Sequence, residues 1–208
     1  MTSDTSSSMP GPGTVTSVNL SPRKTMRKTP GTHGTVIFDR GFDTDAHMGD
    51  WHRQVSLLSS ESIGTMQAKG LDVGAGDFAE NITTIDIDLL ALPIGSRIQI
   101  GDSVVLEISQ IGKVCHKKCA IYYQAGDCVM PREGIFTVVR EAGDVNVGDV
   151  ITTLSLGDGT CDRTTAESIA EFAAERAAEA AEEAEKAAAK SARSAENCNR
   201  LAGTESEE

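Results

Sequence analysis

From residue 82 to residue 154 the chain repeats one device: a short run of β-branched and aliphatic residues closed by a glycine-containing turn. The runs are 82–87, 97–100, 104–108, 135–139 and 150–154. Between them stand Pro93-Ile94-Gly95, Gly101-Asp102, Gly126-Asp127, Gly143-Asp144 and Gly148-Asp149. Runs this short suit strands better than helices, and glycine next to aspartate ends them. Short strands at this spacing, with little helix, predict a mainly β fold, a barrel or a sandwich rather than a parallel α/β sheet. Val104-Val105-Leu106 is almost continuously apolar and is expected in the core. Upstream, Thr14-Val15-Thr16-Ser17-Val18-Asn19-Leu20 alternates apolar with polar residues, and 35–38 and 53–58 add two further strands. Ser59 or Ser60 is placed to cap a short helix, with Ile63 and Met66 facing inward and Gly70 as its stop.

The ends differ in composition from this centre. Residues 1–13 are rich in Ser, Thr, Gly and Pro and are expected to be disordered, ahead of a domain over 14–155. Gly157-Asp158-Gly159 marks a linker, 156–163. Thr164 and Glu167 form a capping box for an Ala/Glu-rich helix over 164–200, followed by a disordered tail over 201–208. Alanine favours that helix, and Glu182 with Lys186 adds a pair one turn apart. Its large apolar side chains are Ile169 and Phe172, near its start, so it lacks the stripe of a coiled coil and reads as solvated.

Over its 208 residues the chain carries a net charge of −12, which argues against general nucleic-acid affinity. Positive charge gathered in one place is then informative. It gathers at Ser109-Gln110-Ile111-Gly112-Lys113-Val114-Cys115-His116-Lys117-Lys118-Cys119, where Lys113, His116, Lys117 and Lys118 bracket Cys115. A thiol reacts as its thiolate, and neighbouring cations favour that form while drawing in anionic ligands. No apolar run is long enough to span a bilayer, and the first eight residues lack the features of a signal peptide. The expected compartment is cytoplasmic, where thiols stay reduced, and five cysteines, an odd number, do not make a fully paired disulfide framework.

Several motifs, in order, resemble the MOSC domain, the module similar to the C-terminal domain of molybdenum-cofactor sulfurases. They are Asp45-Ala46-His47 with His52-Arg53-Gln54-Val55-Ser56-Leu57-Leu58; Gly76-Asp77-Phe78-Ala79-Glu80-Asn81-Ile82; Leu92-Pro93-Ile94-Gly95; Ile100-Gly101-Asp102-Ser103-Val104-Val105-Leu106-Glu107; and Ser109-Gln110 up to Cys115. The resemblance covers residues 14–155 and implies a MOSC-like β-barrel with a few short helices. It also implies a part in binding the molybdenum cofactor (molybdopterin) or carrying sulfur, with Cys115 as persulfide carrier or metal-ligating thiolate. Three positions depart from the family pattern: Thr44 and Ala79 replace glycines, and Val114 stands where proline is common. The chain has no pyridoxal-phosphate desulfurase domain, so sulfur must come from a partner such as a cysteine desulfurase and pass to one such as a molybdoenzyme.

The remaining candidates follow from residue chemistry. Arg53 offers a bidentate grip on phosphate, or a pair with Asp45 or Glu80; His47, His52, Gln54, Lys113, His116 and Arg132 are further anion or ligand contacts. Glu80 and Asn81 read as a hydrogen-bonding corner beside the ligand more than as an acid/base pair. Cys115, His116, Cys119 and Cys128 could together form a four-ligand zinc site, but the spacing is not a paired CxxC and argues against zinc. A reversible disulfide from Cys115 to Cys119 or Cys128 is a further possibility. A different class of reading makes the chain a non-catalytic partner-binding module with structural zinc or inert cysteines.

Overall fold

The structure, a computed structural model, describes residues 9–24, 26–113, 120–126 and 128–164, together with helical residues 170, 173, 174, 177, 180, 181, 184, 185 and 188. Expectations for residues 1–8, for Cys115, His116, Cys119, Glu167, Ile169, Phe172, Glu182 and Lys186, and for the tail fall outside the described residues.

The described strands are β1 (Gly13–Leu20), β2 (Thr29–Gly31), β3 (His33–Ile37), β4 (Gly41–Phe42), β5 (Val55–Ser59), β6 (Ile82–Ile85), β7 (Arg97–Ile100), β8 (Val104–Ile111), β9 (Ile135–Glu141), β10 (Gly143–Asn146) and β11 (Val150–Ser155). Three short helices join them: α1 (Ser60–Ala68), α2 (Ala120–Ala125) and α3 (Met130–Glu133). Seven strands close a barrel in the order β1-β11-β7-β8-β9-β5-β6, returning to β1. Closure comes from β1 against β11, where Gly13 faces Ile151 and Thr14 faces Val150. The pairing of β5 with β6 is parallel, unlike the others in the barrel. A parallel pair needs a crossover, and α1 with the loop after it supplies one.

Alternation sorts side chains between two cores. Val15, Val18, Leu57, Ile82, Ile98, Ile100, Leu106, Ile108, Ile135, Val139 and Ile151 fill the barrel. Leu58 and Phe136 point from the same wall to the outside, where α1 (Ile63, Met66), Leu71, Phe78, Ile121, Val129 and Met130 cover them. Burial on both faces explains why Val55-Ser56-Leu57-Leu58 is nearly continuous in apolar character.

α1 forms as its sequence predicts. Ser59 is its N-cap, accepting from the Ser62 N–H at 3.0 Å, and Gly70 leaves it with φ of +86°. Elsewhere the structure adds elements that local sequence hides. Gly143-Asp144 reads as a turn yet opens β10, which pairs with β3 in a small second sheet, β10-β3-β4, with Val145 buried. Ile121-Tyr122-Tyr123 has strand character yet lies in α2, because Ile121 is needed in the outer core.

Residues 166–208 form a second compact unit, whose described members are helical and exposed. Among the described residues no helix is long and apolar enough to cross a membrane.

Candidate functional site

At the end where the chain leaves β8, Gly112 turns with φ of +75°, and a Cβ there would lie 2.3 Å from the Pro131 carbonyl oxygen. Only glycine fits. Its N–H donates to the Gly134 carbonyl at 2.7 Å, and the Lys113 N–H donates to Pro131 at 3.1 Å. These bonds place half-buried Lys113 beside α3, where Arg132 is exposed. Cys115 follows two residues later, outside the described residues.

The loop before β5 packs against the same end. His52 Nε2 lies 2.9 Å from Gln110 Oε1, while Gln110 Nε2 donates to the Gly112 carbonyl at 2.7 Å. With its amide nitrogen so engaged, Gln110 accepts, and His52 carries its proton on Nε2. The Arg53 guanidinium stacks 5.0 Å from the Trp51 ring centroid and 5.9 Å from that of Phe136. Gln54 turns away to lock the scaffold, accepting from the Val139 N–H at 2.8 Å and donating to Asp39 at 3.0 Å.

One ion pair was not legible in the sequence. Lys28 Nζ donates to Asp45 Oδ2 at 2.7 Å, and each side chain is only 2% exposed. The Ser21 N–H reaches the same oxygen at 3.0 Å. Oδ1 takes the His47 N–H at 2.9 Å and faces His47 Nδ1 at 3.2 Å. Burial alone would raise the Asp45 carboxyl, but the bonds from His47 and Lys28 outweigh it and hold the group well below the usual carboxylate range. Burial is the largest influence on Lys28 and lowers its pKa, against Asp45 and Glu80, which hold it charged; Lys113 acts with the burial. Lys28 thus links Asp45, Glu80 and Lys113 electrostatically. Asp45 is partnered by Lys28 and His47, one of the places where the sequence offered Arg53.

Glu80 and Asn81 form the hydrogen-bonded corner their residue types suggest. Glu80 Oε1 accepts from the Gly76 N–H at 2.6 Å, Thr83 Oγ1 at 2.9 Å and Asn19 Nδ2 at 3.4 Å. Its other oxygen, Oε2, is buried with no hydrogen-bond partner, and burial pushes the carboxyl up from its ordinary value. Asn81 Oδ1 accepts from the Ser56 N–H at 3.1 Å, and Asn81 Nδ2 donates to the Asn19 carbonyl at 3.3 Å. The corner ties β1, β5 and β6 together and supports the loop beneath Lys28, whose N–H donates to the Gly76 carbonyl at 2.9 Å. The two non-glycine departures, Thr44 and Ala79, both sit in left-handed backbone, with φ of 69° and 65°. That is the conformation glycine serves elsewhere in the family pattern.

Two cysteines, Cys128 and Cys161, are among the described residues. Cys128 is a buried thiol in the outer core. Cys161, Glu107 and Asp162 bring their ligand atoms within 4.8 Å of one another. Arg97 and Arg140 already bind Glu107, each at 2.8 Å, and Arg140 also pairs with Asp162. The two arginines neutralise the two carboxylates, which makes the cluster an ion-pair network, and burial pushes the neighbouring Cys161 thiol up. It also fastens residues 156–164 to the barrel: Arg163 pairs with Asp39 and with Asp50, and Thr164 Oγ1 donates to the Ser109 carbonyl at 3.0 Å.

Comparison with known proteins places this geometry. The YuaD protein from Bacillus subtilis shares the fold with a TM-score of 0.60 at 17% identity, over 68% of this chain and 94% of that one. YiiM from Geobacillus stearothermophilus follows with a TM-score of 0.54 at 19% identity, over 71% of this chain and 77% of that one. YiiM from Escherichia coli gives 0.53 at 16%, over 71% and 72%. A search of curated proteins found no sequence match. The model of the MOSC domain matches residues 43–152, more than half of the chain and all of the strands from β5 to β10. A closed barrel carrying these motifs in this order, matched over that span, belongs to the MOSC domain family.

Proposed function

We propose that the chain is a sulfur-handling module of molybdenum-cofactor chemistry: its cation-rich barrel end holds a phosphate-bearing pterin, and Cys115 carries sulfur as a persulfide. One observation supports this most. In a protein of net charge −12, Lys113, Arg53 and His52 lie around the end of β8, with Lys28 held behind them in its pair with Asp45, and Lys113 precedes Cys115 by two residues. An acidic chain that concentrates cations at a thiol favours an anionic ligand and an ionised sulfur there.

The donor set fits such a ligand. Lys113 and exposed Arg132 offer donors to phosphate, while Arg53, stacked on Trp51, presents a preoriented guanidinium on the loop that His52 pins to Gln110. Gln54, Glu80 and Asn81 hold the loops that carry these groups. His116 adds a further cation beside Cys115 in sequence. When bound, the cofactor would supply a soft, thiolate-accepting metal centre. The sulfur donor and acceptor are expected to be separate cytoplasmic proteins, a cysteine desulfurase and a molybdoenzyme.

The alternative is a partner-binding module with structural zinc, in which Cys128, buried in the outer core, would be one ligand. Incubating the chain with a cysteine desulfurase and cysteine, then mapping peptides by mass, tests the proposal. The expected result is one added sulfur on Cys115, absent in Cys115→Ser. An unmodified Cys115 under conditions that load a known persulfide acceptor would overturn it.

A further inference from the structure

We infer that Arg163 is a positioning residue for the loop before β5: its guanidinium forks onto Asp39 and Asp50 and so keeps Arg53 stacked on Trp51, set to grip an anion. That the ligand is an anion rests on the function proposed above; the clamp on the loop rests on geometry alone. The match to the MOSC domain ends at residue 152, so the clamp lies beyond the residues that the family pattern covers.

After β11, residues 156–164 run as a strap against the barrel wall. The Gly157 N–H donates to Ser96 Oγ at 2.9 Å, and the Gly159 N–H donates to the Ile94 carbonyl at 3.0 Å. A Cβ at Gly157 would collide with the Ile94 carbonyl oxygen, so glycine lets the strap lie this close. That route delivers Arg163 and Thr164 to the loop. One guanidinium nitrogen of Arg163 pairs with Asp39 Oδ2, and another donates to Asp50 Oδ1 at 2.5 Å. The second oxygen of Asp39 accepts from Gln54 Nε2 at 3.0 Å. A single side chain thus ties both ends of the segment Asp50-Trp51-His52-Arg53-Gln54. Thr164 adds a second hold: its Oγ1 donates to the Ser109 carbonyl at 3.0 Å, and Ser109 Oγ donates to the His52 carbonyl.

Exposure and charge separate this role from plain ion pairing. The Arg163 and Asp39 side chains are 30% and 29% exposed and that of Asp50 is 65% exposed, and ion pairs so open to water contribute little to global stability. Their effect is local. Arg53 lies 5.0 Å from the ring centroid of Trp51, the residue next to Asp50, and 5.9 Å from that of Phe136. A loop released at Asp50 has to be ordered again when a ligand binds, and that ordering subtracts from affinity. Deleting the Asp50 charge makes the loop more positive and by itself favours an anion; deleting its bond to Arg163 does the opposite. The two roles predict opposite signs for one substitution.

Trp51 is the one tryptophan of the chain, so its fluorescence reads this loop directly. The first arm needs no ligand: acrylamide quenching of the full chain, with thermal melts to show that each variant is folded at the assay temperature. Quenching is expected to rise about twofold in Arg163→Ala and in Asp50→Asn, and to stay at the wild-type value in Ser96→Ala, which loosens the strap away from the loop. Unchanged quenching in the first two, or an equal rise in Ser96→Ala, overturns the inference. The second arm measures binding of inorganic pyrophosphate by calorimetry. Affinity is expected to fall about tenfold in Arg163→Ala and severalfold in Asp50→Asn. An Asp50→Asn chain that binds pyrophosphate as tightly as the wild type, or more tightly, overturns the positioning role. If the wild type binds no pyrophosphate while the quenching changes as expected, the clamp on the loop stands, and the anion grip falls together with the function proposed above.

Discussion

Replacing Lys28 by methionine removes the ammonium while keeping most of the stem. Asp45 would then stay buried with three donors: the N–H groups of Ser21 and His47 and the His47 ring, at 3.0, 2.9 and 3.2 Å. Breaking a buried pair by removing one partner costs ~3–5 kcal/mol, and the surviving donors place this case at the lower end, about 3 kcal/mol. For a domain of this size that is a fall in Tm of about 6–12 °C. Adding Asp45→Asn removes the stranded charge and is expected to restore part of the loss. The pH dependence follows from Asp45. Its folded pKa is depressed, so the stability it contributes is fully present above the unfolded value and lost as pH falls through the folded one. Lys28→Met lets the stranded carboxyl take a proton earlier as pH drops, so the deficit should narrow from pH 7 toward about pH 4. Thermal melts of the wild type, both single variants and the double variant at several pH values measure this. A loss under about 2 °C, or a deficit that does not change with pH, would refute the reasoning that this pair anchors the site.

Two further outcomes concern the scaffold. Glu80 has a raised pKa through burial, so its contribution to stability is present below the unfolded value and is lost as pH rises through the folded one; Glu80→Gln should remove that decline, seen as a flatter plot of Tm against pH. Ala79→Gly should stabilise the fold by about 0.5–1 kcal/mol, since φ of 65° strains a residue with a Cβ; denaturant melts check this, and a net loss would mean that the Ala79 methyl packs usefully.

Much of the barrel is legible because strand burial has a period of two and glycine turns punctuate it. Thr14 to Leu20 and Val104 to Ile108 announce their strands, and Ser59 with Gly70 brackets α1 as written. What stays hidden depends on partners distant in sequence. β10 exists because β3 pairs with it, and Gly143-Asp144 alone looks like a turn. The site divides the same way. Lys113 stands out beside a cysteine, and His47, His52 and Arg53 stand out as anion-binding residue types in one loop. Lys28 looks like one of four basic residues in a loop, Arg23, Lys24, Arg27 and Lys28, and only folding puts it against Asp45, seventeen positions away. Arg163 is similar, an apparent linker residue that pairs with Asp39 and Asp50.

Elemental analysis of the chain purified from cells that make the cofactor tests the central claim most directly. Molybdenum and phosphorus should be present near one per chain, fall when Lys113 and Arg53 are both changed to glutamate, and be accompanied by no stoichiometric zinc. Stoichiometric zinc, with neither molybdenum nor phosphorus, would contradict the account and leave the partner-binding reading in its place.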